Sequence, residues 1–300
     1  MRQFQARIIA NRPVAEAWRE LVLEWEAEPP EPGQFLTLRV SPRLDPLLRR
    51  PFAFSGFSPA DPAGGAPATA SAVYQVRGSA TALLAEIAPG NFLDAIGPLG
   101  KPFPLPAAGE TALLAGGGIG LGPVLFLARR LRALAAAGQG SPEPRLLLGF
   151  RNAASLPELD LPEGSLLCTD DGSAGFRGTP TAKLAADAAL AELGHRARLY
   201  ACGPAAMLAG LAALAKERGW RASLSAEQWM ACGVGACMGC ALPRADGQGY
   251  LRACADGPVF EGGEIDWAAE AARAAPPVKA GAAPRPAQGP AGAGPGKERT

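Results

Sequence analysis

Over roughly the first third of the chain, apolar and polar positions alternate in short runs with a period of two. Leu36, Leu38 and Val40 alternate with Phe35, Thr37 and Arg39, as expected of a strand whose two faces meet different surroundings. Segments 4–9, 21–25, 35–40 and 73–77 read as strands. Pro29-Pro30 and Pro32-Gly33 stand between them. Neither pair fits a central strand, because proline has no N–H to give to a ladder. Short strands broken by frequent turns predict a small antiparallel barrel. Residues 59–69 form a Pro/Gly/Ala loop with no evident role.

Near Gly109 the pattern changes. Segments 111–115, 145–150, 165–169 and 198–201 are compact apolar runs, and helical stretches cover 124–136, 181–193 and 205–218. Strands alternating with helices predict a doubly wound parallel sheet. Pro123 and Pro204 suit the first position of the helices they precede. After Trp220 comes a cysteine-rich segment, and after 267 mostly Ala, Pro and Gly. That last stretch has too little to bury to offset its ordering entropy, so disorder is expected. The overall expectation is an α+β multidomain chain: an antiparallel barrel over 1–107, a parallel α/β domain over 108–222, a cysteine lobe over 223–267 and a tail over 268–300.

Composition adds mainly exclusions. A length of 300 residues suits about two domains. A formal net charge of +1 offers no electrostatic case for nucleic acid or an anionic membrane. The first residues are too polar for a signal peptide, and no apolar stretch reaches the roughly 18 residues that span a bilayer. A cytoplasmic protein is expected.

The chemistry concentrates in four cysteines. Cys232, Cys237, Cys240 and Cys254 are spaced C-x4-C-x2-C-x13-C, the ligand order of a plant-type [2Fe–2S] centre. Gly233, Gly235 and Gly239 interleave with them, giving the backbone freedom to wrap sulfur and amides to tune it. Three other readings stay open. A zinc site would favour two short C-x2-C pairs, and only Cys237/Cys240 qualifies. A disulfide framework does not suit a long chain without a secretory signal. Clustered free thiols are the third. Cys168 reads as a small buried hydrophobe.

Three further segments suit nucleotides. Residues 111–123 read as a strand, a turn holding Gly116, Gly117, Gly118, Gly120 and Gly122, and a helix start. Such a turn admits a pyrophosphate to the helix N-terminus, although no window fits G-x-G-x-x-G. The bland alternative is a tight turn without ligand. Cys202-Gly203-Pro204 follows the last apolar strand at the edge where open α/β sheets bind ligands, with Cys202 placed for a nicotinamide ring. Its alternative is a plain strand-end turn. Arg49–Ser55 with 73–81 offers an arginine for a pyrophosphate, an aromatic at Tyr74 and a short helix after Ser79. A basic hairpin is the alternative there. His195, the only histidine, reads as an exposed or structural cap.

Together these segments resemble the ferredoxin–NADP reductase superfamily and, more narrowly, the electron transfer subunits of NAD-dependent dihydroorotate dehydrogenases. The likeness covers about residues 3–265. It rests on Pro32-Gly-Gln-Phe35, Arg50-Pro-Phe-Ala53, Tyr74, Gly78-Ser-Ala-Thr81, Gly97-Pro-Leu-Gly100, residues 116–123, Thr169-Asp-Asp-Gly-Ser173, Cys202-Gly-Pro204 and the cysteine quartet. It implies FAD held on the barrel by Arg50, Pro51, Phe52, Ala53, Val73, Tyr74, Gln75, Ala80 and Thr81. It also implies NAD on the α/β domain at the glycine-rich turn and Cys202-Gly203-Pro204, and a [2Fe–2S] cluster on the four cysteines. Ala53 stands where such proteins usually have a hydroxyl residue, and Ala80 where they have glycine. The implied partner is an FMN-containing catalytic subunit that oxidises dihydroorotate in pyrimidine (UMP) biosynthesis, in a two-plus-two heterotetramer. No acid–base catalytic side chain is expected in this chain. Related reductase subunits of a transhydrogenase, sulfide dehydrogenase or hydrogenase share these motifs. A zinc-stabilised nucleotide-binding protein without redox turnover is the alternative from another class.

Overall fold

The computed structural model describes residues 1–139 and 143–274. The N-terminal region is one curled antiparallel sheet of β1 (Arg2–Ala15), β2 (Trp18–Glu24), β3 (Phe35–Arg39), β4 (Arg50–Ala53), β5 (Gly56–Ser58), β6 (Thr69–Gln75) and β7 (Phe92–Leu99). Their order is β4-β3-β7-β1-β2-β6-β5, with a short helix α1 (Ser79–Glu86) after β6. The period-two pattern decides which side turns inward: Phe4, Ala6, Ile8, Leu21, Leu23, Leu36 and Leu38 share one core. Residues 59–69, expected to be loop, give their last position to β6.

The second sheet contains β8 (Thr111–Gly117), β9 (Arg145–Phe150), β10 (Leu166–Thr169), β11 (Phe176–Arg177), β12 (Ala197–Cys202) and β13 (Arg221–Ser225). All are parallel, in the order β11-β10-β9-β8-β12-β13. The chain steps outward from β8 to β9 and β10, then crosses back to β12. The topological switch therefore lies between β8 and β12, where such sheets open a crevice. Helix α2 (Leu121–Ala136) is buried on nearly all sides over its first two turns, because it lies between β8 and the barrel strand β5.

Several boundaries differ from expectation. α2 begins at Leu121, which puts Pro123 inside its first turn, and Pro204 is the N-cap of α5 (Ala205–Arg218) rather than its first residue. The single helix expected over 181–193 is two, α3 (Pro180–Ala186) and α4 (Ala188–Ala191). The break falls at Asp187, whose side chain accepts from the Leu190 amide, a local bond that competes with helix continuation.

The cysteine segment is not a separate body. After β13 come the hairpin β14 (Ala241–Pro243) and β15 (Tyr250–Arg252) and then β16 (Val259–Glu261), which returns antiparallel to β13. The expected boundary at 222 thus falls inside β13. Buried Arg198 on β12 donates to Ser223 on β13 at 2.8 Å and pairs with Glu261 on β16, fastening the returning strand to the sheet. Cys240, Leu242, Cys254 and Phe260 share a core with Leu199, Leu224 and the barrel residue Phe35. The tail expected from 268 begins instead as α6 (Trp267–Ala274). Trp267 is buried and its indole N–H donates to the Gly262 carbonyl, so this stretch has an anchor that its composition did not suggest. The disorder expected over 275–300 lies outside the described residues. Among the described residues no helix is long and apolar enough to cross a membrane.

Candidate redox site

The two glycine-bearing turns of the α/β domain meet at the sheet's switch point. Gly116 and Cys202 are register partners on β8 and β12, at the switch point. A side chain on Gly120 would overlap the Cys202 carbonyl and the Gly203 amide, and one on Gly117 would meet Pro204 and Met207. Gly116 is closed by Val124 and Leu148, so its role is strand-to-helix packing. Gly118, at a φ of 52°, has open space around it. It is the glycine of this turn best placed to bring backbone to a ligand.

The barrel motifs lie alongside. β6 runs beside the Gly118–Gly120 turn, and Gly122 faces Ser55 of the barrel. Arg50, Pro51, Phe52 and Ala53 form β4, and Val73, Tyr74 and Gln75 end β6. Arg50 gives one bond to the Leu48 carbonyl at 2.7 Å and forms no ion pair among the described residues, leaving guanidinium donors for an anion. Tyr74 does not offer an aromatic face. Its ring is 2% exposed and sits edge-on to Phe52, with its hydroxyl donating to Asn11 at 2.9 Å. Burial pushes its pKa up, with Arg19 and the Asn11 hydrogen bond opposing. Ala80 is buried, and the Thr81 hydroxyl accepts from the Arg77 and Gly78 amides, capping α1.

Glu227 and Arg77, which no motif singles out, bear on the charge around Cys202. The Cys202 thiol is pushed up to about 12 by burial and by the charge of Glu227, with a hydrogen bond from Ser225 opposing. It is therefore a neutral thiol at neutral pH. Glu227 is exposed on the segment that leads from β13 to the cysteines; burial raises its pKa and Arg77 opposes. Single carboxylates and arginines carry no motif, so nothing in the chain marked them. His195 is exposed in the turn before β12.

The four cysteines form two sulfur pairs. Cys240 and Cys254 lie 3.3 Å apart in the core, and Cys232 and Cys237 lie nearer the surface, where Cys237 lowers the Cys232 pKa. Backbone amides point at the sulfurs: Gly235 to Cys254 at 3.2 Å, Gly239 to Cys237 at 3.4 Å and Cys254 to Cys240 at 3.4 Å. Burial raises the Cys232 thiol, but amides of Val234, Ala236 and Cys237 and the bond with Cys237 bring it down to about 6. Cys254 is driven the other way, to about 12, by burial and by the hydrogen bond with Cys240. The loop uses left-handed backbone at Gly233, Gly235 and Met238. Arg252 donates to the Gly235 carbonyl at 2.7 Å while gripping Asp256 through two nitrogens. That ion pair spans the end of β15 and the turn after it.

This donor set fits a two-iron group. Such a group needs one thiolate pair per iron and donors around the sulfurs, and both are present.

A curled antiparallel flavin-type sheet, a parallel nucleotide sheet and a cysteine segment on its edge define a reductase of the ferredoxin-reductase class. Solved structures agree. The chain is similar to the NADH-dependent reduced ferredoxin-NADP oxidoreductase, with a TM-score of 0.67 at 27% identity over 90% of this chain and 92% of that one. It shares its fold with phthalate dioxygenase reductase, with a TM-score of 0.53 at 15% identity over 88% and 95%. Residues 227–266 match the iron–sulfur cluster binding domain of dihydroorotate dehydrogenase B. The chain is 37% identical to the dihydroorotate dehydrogenase B (NAD(+)) electron transfer subunit of Geobacillus thermodenitrificans, over 86% of this chain and 96% of that one. It is 32% identical to that of Caldanaerobacter subterraneus subsp. tengcongensis, over 88% and 98%. The chain belongs to the family of dihydroorotate dehydrogenase B (NAD(+)) electron transfer subunits.

Proposed function

We propose that this chain carries electrons from a catalytic partner that oxidises dihydroorotate to NAD+, with FAD on the barrel, a [2Fe–2S] group on Cys232, Cys237, Cys240 and Cys254, and NAD at the β8–β12 switch point. The observation that carries this is the packing of the three regions on one another: Gly120 lies against the Cys202–Gly203 peptide, Gly122 faces Ser55 of the barrel, and the barrel residue Phe35 shares a core with Cys240 and Cys254. Three sites from distant parts of the chain are thereby within reach of one another.

Bound there, the iron–sulfur group would supply single-electron transfer and the flavin would couple two single electrons and a proton to one hydride. The protein's own part is to bind, orient and exclude. The start of α2 and the open backbone at Gly118 receive a pyrophosphate. The neutral Cys202 thiol lies at the switch point without adding charge. Asp170 and Asp171 close β10 at the same edge. Hydrogen bonds from Ser173 hold the Asp171 carboxyl below its ordinary range, and that charge disfavours a 2′-phosphate, which supports NAD over NADP. Arg50 is the free guanidinium suited to the flavin pyrophosphate. Six free cysteines suit a reducing compartment, and a cytoplasmic location is part of the proposal.

The test is anaerobic co-purification from the source cell followed by dihydroorotate-dependent NAD+ reduction. Turnover with dihydroorotate is expected. A complex that turns over only with another donor assigns the chain to a different reductase.

A further inference from the structure

One buried polar group outside the motifs faces the cysteine loop. Thr37 is 3% exposed in the middle of β3, and its hydroxyl has no hydrogen-bond partner. Unpartnered buried hydroxyls are uncommon in folded proteins and ask for a cause. The neighbours across the ladder, Pro51 on β4 and Ile96 on β7, have no side-chain acceptor to offer.

The face of β3 decides what the hydroxyl meets. Leu36 and Leu38 point into the barrel core. Phe35 and Thr37 point the other way, and Phe35 shares a core with Cys240 and Cys254. A methyl placed on Gly233 would come within 3.0 Å of the Thr37 methyl. Gly233 directly follows Cys232, so Thr37 lies beneath the sulfur-bearing loop and beside the β4 strand proposed for the flavin. Backbone amides already serve Cys232, Cys237, Cys240 and Cys254, so the proximity of Gly233 is what points the hydroxyl to the Cys232 end of the loop.

We infer that the Thr37 hydroxyl donates a hydrogen bond to a sulfur of the iron–sulfur group at the Cys232 side, and thereby raises that group's reduction potential. The inference rests on the two-iron reading of the cysteines. A hydrogen bond to sulfur stabilises the more negative, reduced state of a cluster over the oxidised one. Thr37 is thus a positioning and tuning residue, reached from the barrel, for a group held by a segment almost two hundred residues later in the chain.

The experiment uses the loaded full-length protein in an anaerobic redox titration followed by electron paramagnetic resonance. Thr37→Val keeps the shape and removes the hydroxyl; Thr37→Ser keeps the hydroxyl. Thr37→Val is expected to make reduction of the cluster about tenfold less favourable, a fall of about 59 mV for a one-electron couple. Thr37→Ser is expected to stay near wild type, and the flavin potential to hold in both. An unchanged cluster potential in Thr37→Val overturns the inference. So does a serine variant that shifts as far as the valine one, or a shift confined to the flavin. Iron and sulfide analysis of the wild type separates these from failure of the reading beneath: a protein carrying zinc would sink both.

Discussion

Gly120 lies flat against the Cys202–Gly203 peptide, so close that a single methyl group on it would overlap the Cys202 carbonyl. The contact joins the turn after β8 to the turn after β12 across the switch point of the sheet. Gly120→Ala must push the two turns apart. We expect NADH affinity to fall about tenfold or more, equivalent to about 1.4 kcal/mol, while bound FAD is retained. Stopped-flow reduction of the flavin by NADH measures this, and unchanged saturation would show that the turns do not hold the nucleotide.

Cys237 is exposed while Cys240 and Cys254 are buried, so the sulfur quartet runs from core to surface. Cys237→Ser or Cys232→Ser is expected to abolish dihydroorotate-dependent NAD+ reduction yet preserve reduction of FAD by NADH. Loss of both activities together would place the cysteines on the nucleotide side of the electron path instead.

The grip of Arg252 on Asp256 supports the Gly235 end of the loop. The Arg252 hydrogen bonds hold the Asp256 carboxyl below its ordinary value despite partial burial. A carboxyl depressed in the folded state contributes stability that is complete above the unfolded value of about 3.9 and is lost as pH falls through the folded one. Acid bleaching of the cluster absorbance should therefore steepen below about pH 4. In Asp256→Asn that acid-side component should be missing and the cluster should be lost sooner at neutral pH. Identical acid profiles would leave Asp256 without this role.

Trp229 is 91% exposed three residues before Cys232, with Val234 and Met238 also exposed on the cysteine loop. An isolated indole that contributes nothing to the core should be removable without cost to the fold. Trp229→Ala is expected to change stability by less than about 0.5 kcal/mol. Its affinity for the catalytic partner should fall by about 2 kcal/mol or more, as for a buried interface anchor. Titration calorimetry with the partner decides, and unchanged affinity would move the interface elsewhere.

Tyr74 donates to Asn11, which also accepts from Arg19 and donates to the Leu84 carbonyl. Tyr74→Phe is expected to cost about 1 kcal/mol in denaturant unfolding and to leave the flavin spectrum as it is. A large spectral change would return the ring to the flavin site.

Local patterning made much of this legible. The alternation at 35–40 marks β3, and the apolar run Arg145–Phe150 matches β9 end to end. The cysteine spacing reads directly because three of the four candidate ligands, Cys232, Cys237 and Cys240, lie close together on one glycine-rich loop. β5, β7, β13 and the hairpin of β14 and β15 had no comparable signal. They are short or carry Gly and Pro, and they exist because a neighbouring strand supplies their hydrogen bonds. The same holds for the helical start of the tail, where Trp267 finds a buried seat only after the sheet has formed.

By itself the sequence determined the types of the strongly patterned elements, the glycine-rich turns that are candidates for a nucleotide and the four candidate ligands, since each depends on residues close along the chain. Tertiary structure alone decided that the turns of β8 and β12 meet at the switch point and that Tyr74 faces inward. It also decided that the sulfurs divide into two pairs and that Thr37 lies under Gly233. Those are contacts between residues tens to hundreds of positions apart. They are settled by which face of a strand is buried and which strands adjoin, and no local spacing encodes that.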